Sequence, residues 1–213
     1  MAAREAAIRR AVLRWYRAFG RDLPWRKTRD PYAVLVSEMM LQQQTVVRVV
    51  PVYEALLERF PTIDALAGAS RAEVVRVWSA IGLNRQAVRL HELARTVVSG
   101  GGGLPREAGG LTAFPGIGRY TAAAVLCFAH GERRAMVDTN IRRVLGRVLR
   151  GSEDALAGEA AWEDATAMLP RHGSDVYDWN QGLMDLGATV CRARSPKCGA
   201  CPVARWCAAR SGG

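Results

Sequence analysis

The stretch from Leu111 to Asn140, LTAFPGIGRYTAAAVLCFAHGERRAMVDTN, decides the fold of this 213-residue chain. Two glycines, Gly116 and Gly118, precede a helical pattern over residues 119–129. Glycine permits the left-handed backbone of a tight turn, and without side chains a phosphate can reach the N–H groups at the helix start. A short connector then leads to Asp138, an acid at a fixed offset from the turn. The stretch therefore indicates chemistry on a nucleic-acid backbone or on a base beside it.

Each half of this pattern also has an ordinary interpretation. A Gly-x-Gly turn before a helix is common in loops, and no strand precedes it as a dinucleotide site requires. Asp138, Thr139 and Asn140 are all helix-capping residues, so Asp138 by itself fits an N-cap better than a catalyst. Residues elsewhere in the chain have to decide between these interpretations.

The charge and hydropathy of the chain limit its partners. The formal net charge is +10, which indicates a polyanionic partner. The longest apolar stretches, such as Val34–Val36, are far too short to span a bilayer, and the N-terminus lacks the apolar core of a signal peptide. We therefore expect a soluble, cytoplasmic protein without a membrane partner.

Helical periodicity runs through nearly every segment, and no segment reads as a strand. Asp30 and Pro31 form a strong start signal, an N-cap followed by proline at the first helical position, for a helix that reaches about Gln42. Further helices are predicted over 4–18, 45–60, 71–80, 85–99, 140–150, 158–169 and 177–190. The pattern predicts an all-α protein.

The C-terminal region carries a candidate metal site. Cys191, Cys198, Cys201 and Cys207 are spaced as C-x6-C-x2-C-x5-C, and four thiolates in so short a stretch can close around one metal centre. Zinc is the usual occupant of four cysteines, but its sites more often come as two C-x-x-C pairs. The uneven spacing favours a [4Fe–4S] cluster. Cys127 lies in an apolar run and is predicted to be a core residue.

This cysteine spacing resembles the iron–sulfur loop of the endonuclease III and MutY branch of the helix–hairpin–helix (HhH-GPD) DNA glycosylases. Six further motifs resemble MutY-type motifs and follow the family order. They are LPWR at 23–26, SEMMLQQ at 37–43, FPT at 60–62, FPGIGRYTA at 114–122, Val137-Asp138-x-Asn140 and NQGLMDLGA at 180–188. The resemblance covers almost the whole chain.

The resemblance implies a two-lobed helix–hairpin–helix DNA glycosylase fold with a [4Fe–4S] cluster loop at the C-terminus. One lobe would be a six-helix barrel domain over residues 28–134, which contains the hairpin at about 105–130. The other would be an iron–sulfur cluster domain built from residues 1–27 and 135–213. In this family the target base enters the cleft between the lobes.

Glu38 makes physical sense as an acid before any resemblance is considered. Its helix is apolar at 34–36 and at 39–41, so its carboxyl cannot avoid apolar neighbours. Desolvation raises a carboxyl pKa, and a protonated acid can donate to a leaving group. A helical carboxylate more often lies on a solvated face, but the polar face here is narrow. By resemblance, Glu38 protonates or polarises the base while Asp138 stabilises the sugar cation and helps water to attack.

Tyr120 bears on the type of reaction. In the bifunctional endonuclease III branch, the residue two beyond the hairpin's last glycine is a lysine that forms a Schiff base with the sugar. Because a phenol cannot form an imine, Tyr120 implies a monofunctional enzyme that leaves an abasic site.

The resemblance also implies DNA contacts for Gln43, Gly116, Gly118, Arg119 and Asn140. Gln43 resembles the wedge that enters the base stack as the target base leaves, although a polar surface residue at a helix end fits nearly as well. Several basic residues are predicted to form one surface along the DNA backbone. They are Arg142, Arg143, Arg147, Arg150, Arg192, Arg194, Lys197 and Arg205.

The base that is excised follows less directly from the sequence. The segment Gly82–Gln86 replaces a Gly-Tyr-Tyr of MutY proteins, and with Arg134–Asp138, Gly182–Asp185 and the short length it resembles the MIG-type thymine/uracil mismatch glycosylases. Against this, Leu41–Gln44 is MutY-like. We expect a monomer, associated with the nucleoid, that removes thymine or uracil opposite guanine from double-stranded DNA in base-excision repair.

Three alternatives remain at this point. One is an adenine glycosylase that acts opposite guanine or 8-oxoguanine, as MutY does. The second is a DNA-binding protein that keeps hairpin and cluster without catalysis, and the third, weaker one is a zinc-only structural protein. The presence of both Glu38 and Asp138 argues against a protein that only binds.

Overall fold

A computed structural model describes residues 2–211, and within that range the chain is helical and contains no strand. The all-α prediction is confirmed. In chain order the α-helices are α1 (Ala2–Phe19), α2 (Pro31–Met40), α3 (Val46–Arg59), α4 (Ile63–Gly68), α5 (Arg71–Trp78), α6 (Asn84–Ser99), α7 (Ala108–Thr112), α8 (Arg119–Phe128), α9 (Thr139–Leu145), α10 (Gly158–Ala167), α11 (Gly173–Thr189) and α12 (Ala208–Ser211).

The chain divides into two compact units. The central unit is Asp22–His130, and the terminal unit joins Met1–Arg21 to Gly131–Gly213. The boundaries expected from the resemblance, after residues 27 and 134, lie a few residues further along the chain. Each unit has its own buried core of aliphatic and aromatic side chains.

Helix α2 is the centre of the central unit. Asp30 accepts a hydrogen bond from the Tyr32 backbone N–H, and Pro31 occupies the first helical position, so the start signal acts as predicted. Every residue from Tyr32 to Met40 is buried, and the helix packs against α3, α6 and α8. A helix whose polar face is this narrow is stable only when it is buried on nearly all sides, which places α2 in the core.

The terminal unit is built around α11. Helix α1 packs along one side of α11, and α9 packs along another. The helix predicted over 140–150 is divided: α9 ends at Leu145 and is followed by a π-helical turn, Gly146–Arg150. A side chain at Gly146 would lie 2.7 Å from the Ser152 carbonyl oxygen, so glycine lets the chain fold back over this turn.

No helix in the described range is both long and apolar enough to cross a bilayer.

Candidate active site

Asp138 is the N-cap of α9. One carboxylate oxygen, Oδ1, accepts a hydrogen bond of 2.6 Å from the Ile141 backbone N–H. The other, Oδ2, accepts one of 2.9 Å from the Asn140 side-chain amide. The capping interpretation is therefore correct, and the cap fixes both carboxylate oxygens in place.

The surroundings of Asp138 disfavour its charge. Burial raises the pKa of the Asp138 carboxyl above its ordinary value, although the hydrogen bonds from Ile141 and Asn140 and the charge of Arg143 act in the opposite direction. A poorly solvated carboxylate interacts strongly with a cation beside it, because little water screens the two charges. Such a carboxylate suits the stabilisation of positive charge that develops on a sugar ring.

Arg143 extends the hydrogen bonds of Asp138 to the cysteine loop. Its Nη2 donates to Asn140 Oδ1 at 2.7 Å and to the Gly187 carbonyl oxygen at 2.8 Å. Its Nε donates to the Cys191 carbonyl oxygen at 2.7 Å. A continuous chain of hydrogen bonds thus runs from Asp138 through Asn140 and Arg143 to Cys191, and we call it the carboxylate chain.

The close packing of α9 on α11 makes this chain possible. A Cβ atom at Gly187 would lie 2.6 Å from Asn140 Cβ, closer than any real contact. Glycine at this position therefore lets the two backbones approach until the Gly187 carbonyl reaches Arg143.

The predicted basic surface has to be corrected at its centre. Arg142 donates to the Glu153 carbonyl oxygen, and Arg150 forms two hydrogen bonds of 2.9 and 2.8 Å with the Asp164 carboxylate. With Arg143 bound as above, these guanidinium groups hold the terminal unit together. Their charge remains, but their hydrogen-bonding groups serve the fold.

Arg147 is also bound internally. It donates to the carbonyl oxygens of Arg192 at 2.8 Å and Ala193 at 3.1 Å, and it lies 2.7 Å from the Glu153 carboxylate. Its Nη1 lies 3.8 Å from Cys191 Sγ. The sequence shows that these arginines are charged but does not show their hydrogen-bond partners, because every residue has a backbone carbonyl.

The four predicted cysteine ligands all line one cavity of about 310 Å³ in the terminal unit. None of them forms a disulfide. Four cysteine thiols around one cavity are a donor set that a [4Fe–4S] cluster takes.

The chemistry of the thiols also fits a cluster site. Burial raises the pKa of Cys201 to about 11 and raises that of Cys191, where Arg147 and Arg143 act in the opposite direction. Burial therefore favours the protonated thiol at Cys191 and Cys201, and metal binding would displace those protons. When bound, a [4Fe–4S] cluster supplies four iron–thiolate bonds across the loop and a centre able to exchange an electron. The fifth cysteine, Cys127, is 2% exposed in the core of the central unit, as predicted.

Glu38 is buried in the central unit, with 6% of its surface exposed. It lies on α2 between the buried residues Ser37 and Met39. The predicted burial of Glu38 is confirmed, and the solvated-face alternative is wrong.

One of the two hairpin glycines has a left-handed backbone, which favours glycine at that position. Gly116 has a φ of +95°, in the left-handed region. Gly118 has an extended backbone, φ −93° and ψ 179°, and is the N-cap of α8. A side chain at Gly118 would meet no atom within 4 Å, so the space beside this glycine is open. Arg119 is exposed, and Tyr120 is half-buried on the first turn of α8.

Gln43 lies in the turn after α2 and is exposed, with a φ of 60° that non-glycine residues rarely adopt. Leu83 shares this unusual backbone, φ 54°, and is an exposed large apolar side chain, at 43%. Strained, exposed residues of this kind cluster at functional sites. Sequence reasoning missed Leu83, since an apolar residue between Gly82 and Asn84 gave no sign of its exposure.

Two family models match the chain. One, described as an HhH-GPD superfamily base excision DNA repair protein, matches residues 36–163. The other, the iron–sulfur binding domain of endonuclease III, matches residues 191–207. The first range contains Glu38, the hairpin and Asp138, and the second begins and ends on a cluster cysteine.

Individual proteins match over most of their length. The chain is 46% identical to an adenine DNA glycosylase of Mycolicibacterium smegmatis, over 92% of this chain and 68% of the relative. It is 38% identical to a thymine/uracil-DNA glycosylase of Methanothermobacter thermautotrophicus, over 92% of this chain and 90% of the relative. The solved structure of a thermostable thymine-DNA glycosylase superposes with a TM-score of 0.92 at 35% identity, and covers 100% of this chain and 99% of that one. The chain therefore belongs to the HhH-GPD superfamily of base excision DNA repair proteins, and its C-terminal cysteines form an endonuclease III-type iron–sulfur binding domain.

Proposed function

We propose that this protein is a monofunctional DNA N-glycosylase that removes thymine or uracil opposite guanine from double-stranded DNA. The observation that carries the proposal is the Asp138 carboxylate, which is fixed by two hydrogen bonds and poorly solvated within the matched family region. A carboxylate of this kind stabilises a sugar cation, the species that forms when an N-glycosidic bond breaks.

The two acids have different roles in the proposed reaction. Glu38 donates a proton to the departing base, so the electrons of the glycosidic bond leave with a neutral base. Asp138 stabilises the positive charge on the sugar while water adds to C1′, and the proton lost by that water returns to solvent. The burial of Glu38 supports its role as a proton donor, because desolvation favours the protonated form of a carboxyl.

Tyr120 supports a reaction that stops at the abasic site. The position that carries the imine-forming lysine in bifunctional relatives is a phenol here. Borohydride reduction should therefore trap no covalent complex between the protein and substrate DNA. A trapped complex would show that another amine of the chain attacks the sugar, and the monofunctional proposal would be wrong.

The choice of thymine or uracil rests on likeness over the whole length of both chains. The thymine-DNA glycosylase structure matches this chain from end to end. Adenine opposite guanine or 8-oxoguanine is the second candidate, favoured by the 46% identity to an adenine glycosylase. Segment 82–86, GLNRQ, replaces the Gly-Tyr-Tyr of the adenine enzymes and supports the first choice.

End-labelled duplexes that carry T:G, U:G, A:G or A:8-oxoguanine test the proposal directly. Each duplex is incubated with the protein and then treated with alkali, which breaks the strand at abasic sites. We expect scission of T:G and U:G duplexes by the wild type and none by Asp138→Asn. Scission of the adenine duplexes alone would reverse the substrate choice, and shifted bands without any scission would leave only a DNA-binding protein.

We also propose that the protein acts as a monomer in the cytoplasm, on the nucleoid. The net charge of +10 supports attraction to DNA. Light scattering of the free protein and of its complex with a mismatch duplex measures the stoichiometry, and a two-to-one complex would overturn the monomer.

A further inference from the structure

Three turns of the central unit are joined by side-chain amides. Arg89 Nη1 donates to Gln86 Oε1 at 3.2 Å. The Gln86 amide nitrogen donates to Gln42 Oε1, and Gln42 Nε2 donates to the Gly116 carbonyl oxygen at 3.1 Å. We call this sequence of bonds the amide chain.

The ends of the amide chain fix its direction. A guanidinium group only donates, so Arg89 requires the oxygen of Gln86 and turns the Gln86 nitrogen towards Gln42. A backbone carbonyl only accepts, so Gly116 requires the nitrogen of Gln42 and turns its oxygen towards Gln86. Both amides are therefore oriented by chemistry, and reversing either one would break two bonds.

Each link of the amide chain lies next to an unusual residue. Gln42 precedes Gln43, and Gln86 lies on the first turn of α6, which begins directly after Leu83. Gly116 is the left-handed residue of the hairpin, and Arg89 Cδ lies 3.1 Å from the position that a Cβ would occupy there. Gln43 and Leu83 both hold strained left-handed backbones, which persist only where their surroundings impose them.

We propose that Gln42 and Gln86 are positioning residues that lock the turns of Gln43 and Leu83 to the hairpin. The inference rests on the proposed function, since it assigns the amide chain to the step in which the base stack opens. When the hairpin grips a phosphate, the amide chain holds the two exposed side chains at a fixed distance from that phosphate. Neither turn then has to become ordered when the base stack opens. Because both turns are already ordered in the free protein, DNA binding does not carry the entropic cost of ordering them.

Gln86→Glu tests this direction of bonding with almost no change of shape. A carboxylate still accepts from Arg89 but cannot donate to Gln42, so the middle bond is lost. The readout is the fluorescence of 2-aminopurine placed beside a T:G mismatch, which rises when the stack opens, measured at saturating protein. We expect the fluorescence rise per bound complex to fall about 5- to 10-fold, and the single-turnover rate of base release to fall by the same factor. This factor corresponds to the loss of one hydrogen bond.

A second variant and a control separate positioning from general damage. The Gln42→Lys side chain can donate both to a carboxylate at position 86 and to the Gly116 carbonyl, so the double variant should recover the fluorescence rise. Gln44→Glu places the same charge beside Gln43 but outside the amide chain, and we expect weaker DNA binding but a full fluorescence rise at saturation.

The outcomes distinguish this inference from the proposed function. A full fluorescence rise with Gln86→Glu, or a loss equally large with Gln44→Glu, would overturn the positioning role. Failure of the double variant to recover, while Gln86→Glu has lost signal, would overturn the directional bonding. If the wild-type protein opens the stack but releases no base, only the proposed function is wrong. The fluorescence of the variants would still test the role of the amide chain.

Discussion

Hydrogen bonds serve different purposes in the two units. The terminal unit contains the carboxylate chain, and the central unit contains the amide chain. The carboxylate chain contains two charged groups, Asp138 and Arg143, and ends on backbone carbonyls beneath the surface. The amide chain is mostly neutral and supports two exposed turns. In the proposed reaction the carboxylate chain fixes the group that acts on the sugar, and in its proposed positioning role the amide chain fixes the shape of a surface. Substitutions in the two chains should therefore change different measurements.

Asp138→Asn should have the largest effect. Asparagine can still cap α9, so the melting temperature should change little. The charge that stabilises the sugar cation is lost, and the single-turnover rate of base release should fall by about 10²–10³-fold. A charge of this kind is worth about 10²-fold or more in rate. A variant that keeps more than a tenth of the wild-type rate would therefore remove Asp138 from the chemistry.

Glu38→Gln should have the second-largest effect on the rate of base release. The amide keeps the size of the buried side chain but cannot give up a proton, so the rate should fall by about 10²-fold if general acid catalysis is lost. The control is the fluorescence rise of 2-aminopurine in the bound complex, which should stay at the wild-type level. An unchanged rate of base release would mean that the proton comes from another donor.

Arg143→Gln should act on the carboxylate chain without touching the amide chain. A hydrogen bond from a charged group is worth about 1.5–3 kcal/mol, so base release should slow by about 10-fold or somewhat more. The positive charge of Arg143 lowers the pKa of Asp138, so its removal should raise that pKa further. Gln86→Glu should leave the pH profile in place, and a shift with both variants would contradict the separation of the two chains.

The pH profile has a defined direction. Asp138 has to be ionised to act, and its pKa is raised above the ordinary value, so activity should fall as the pH falls through that raised pKa.

The linked effect on stability has the opposite sense, because the folded state binds this proton more tightly than the unfolded state. The contribution of Asp138 favours folding below its unfolded pKa and is lost as the pH rises through its folded pKa. Measuring base release and the unfolding free energy over the same acidic range checks both signs.

The smallest expected effects distinguish the two hairpin glycines. Gly118→Ala adds a methyl group in open space with φ at −93°, so stability should change by less than about 0.5 kcal/mol while DNA binding weakens. Gly116→Ala should cost about 1–2 kcal/mol of stability, since its left-handed φ disfavours a side chain. Equal binding by Gly118→Ala and the wild type would mean that no phosphate approaches this turn.

Much of the fold was predictable because it depends on local chemistry. The Asp30–Pro31 start signal, the burial of α2 and the cap at Asp138 each follow from a few neighbouring residues. The spacing of the four cysteines predicted their common cavity for the same reason.

The parts that could not be predicted depend on distant partners. Arg143 reaches a carbonyl 48 positions away, and every residue has a carbonyl, so nothing in the sequence marks Cys191 as the acceptor. The amide chain joins Gln42 to Gly116 across 74 positions in the same way. The π-helical turn after Leu145 was hidden by a pattern that fits an ordinary helix.

Gly187 shows how such distant contacts affect the reading of natural variation. In the sequence it is one small residue in a helix, and exchange for alanine looks harmless, even favourable for a helix. Yet the added carbon would meet Asn140, whose amide holds Asp138. Under the proposed mechanism, a polymorphism at this codon would impair base release as a substitution of Asp138 does, although it alters neither charge nor polarity.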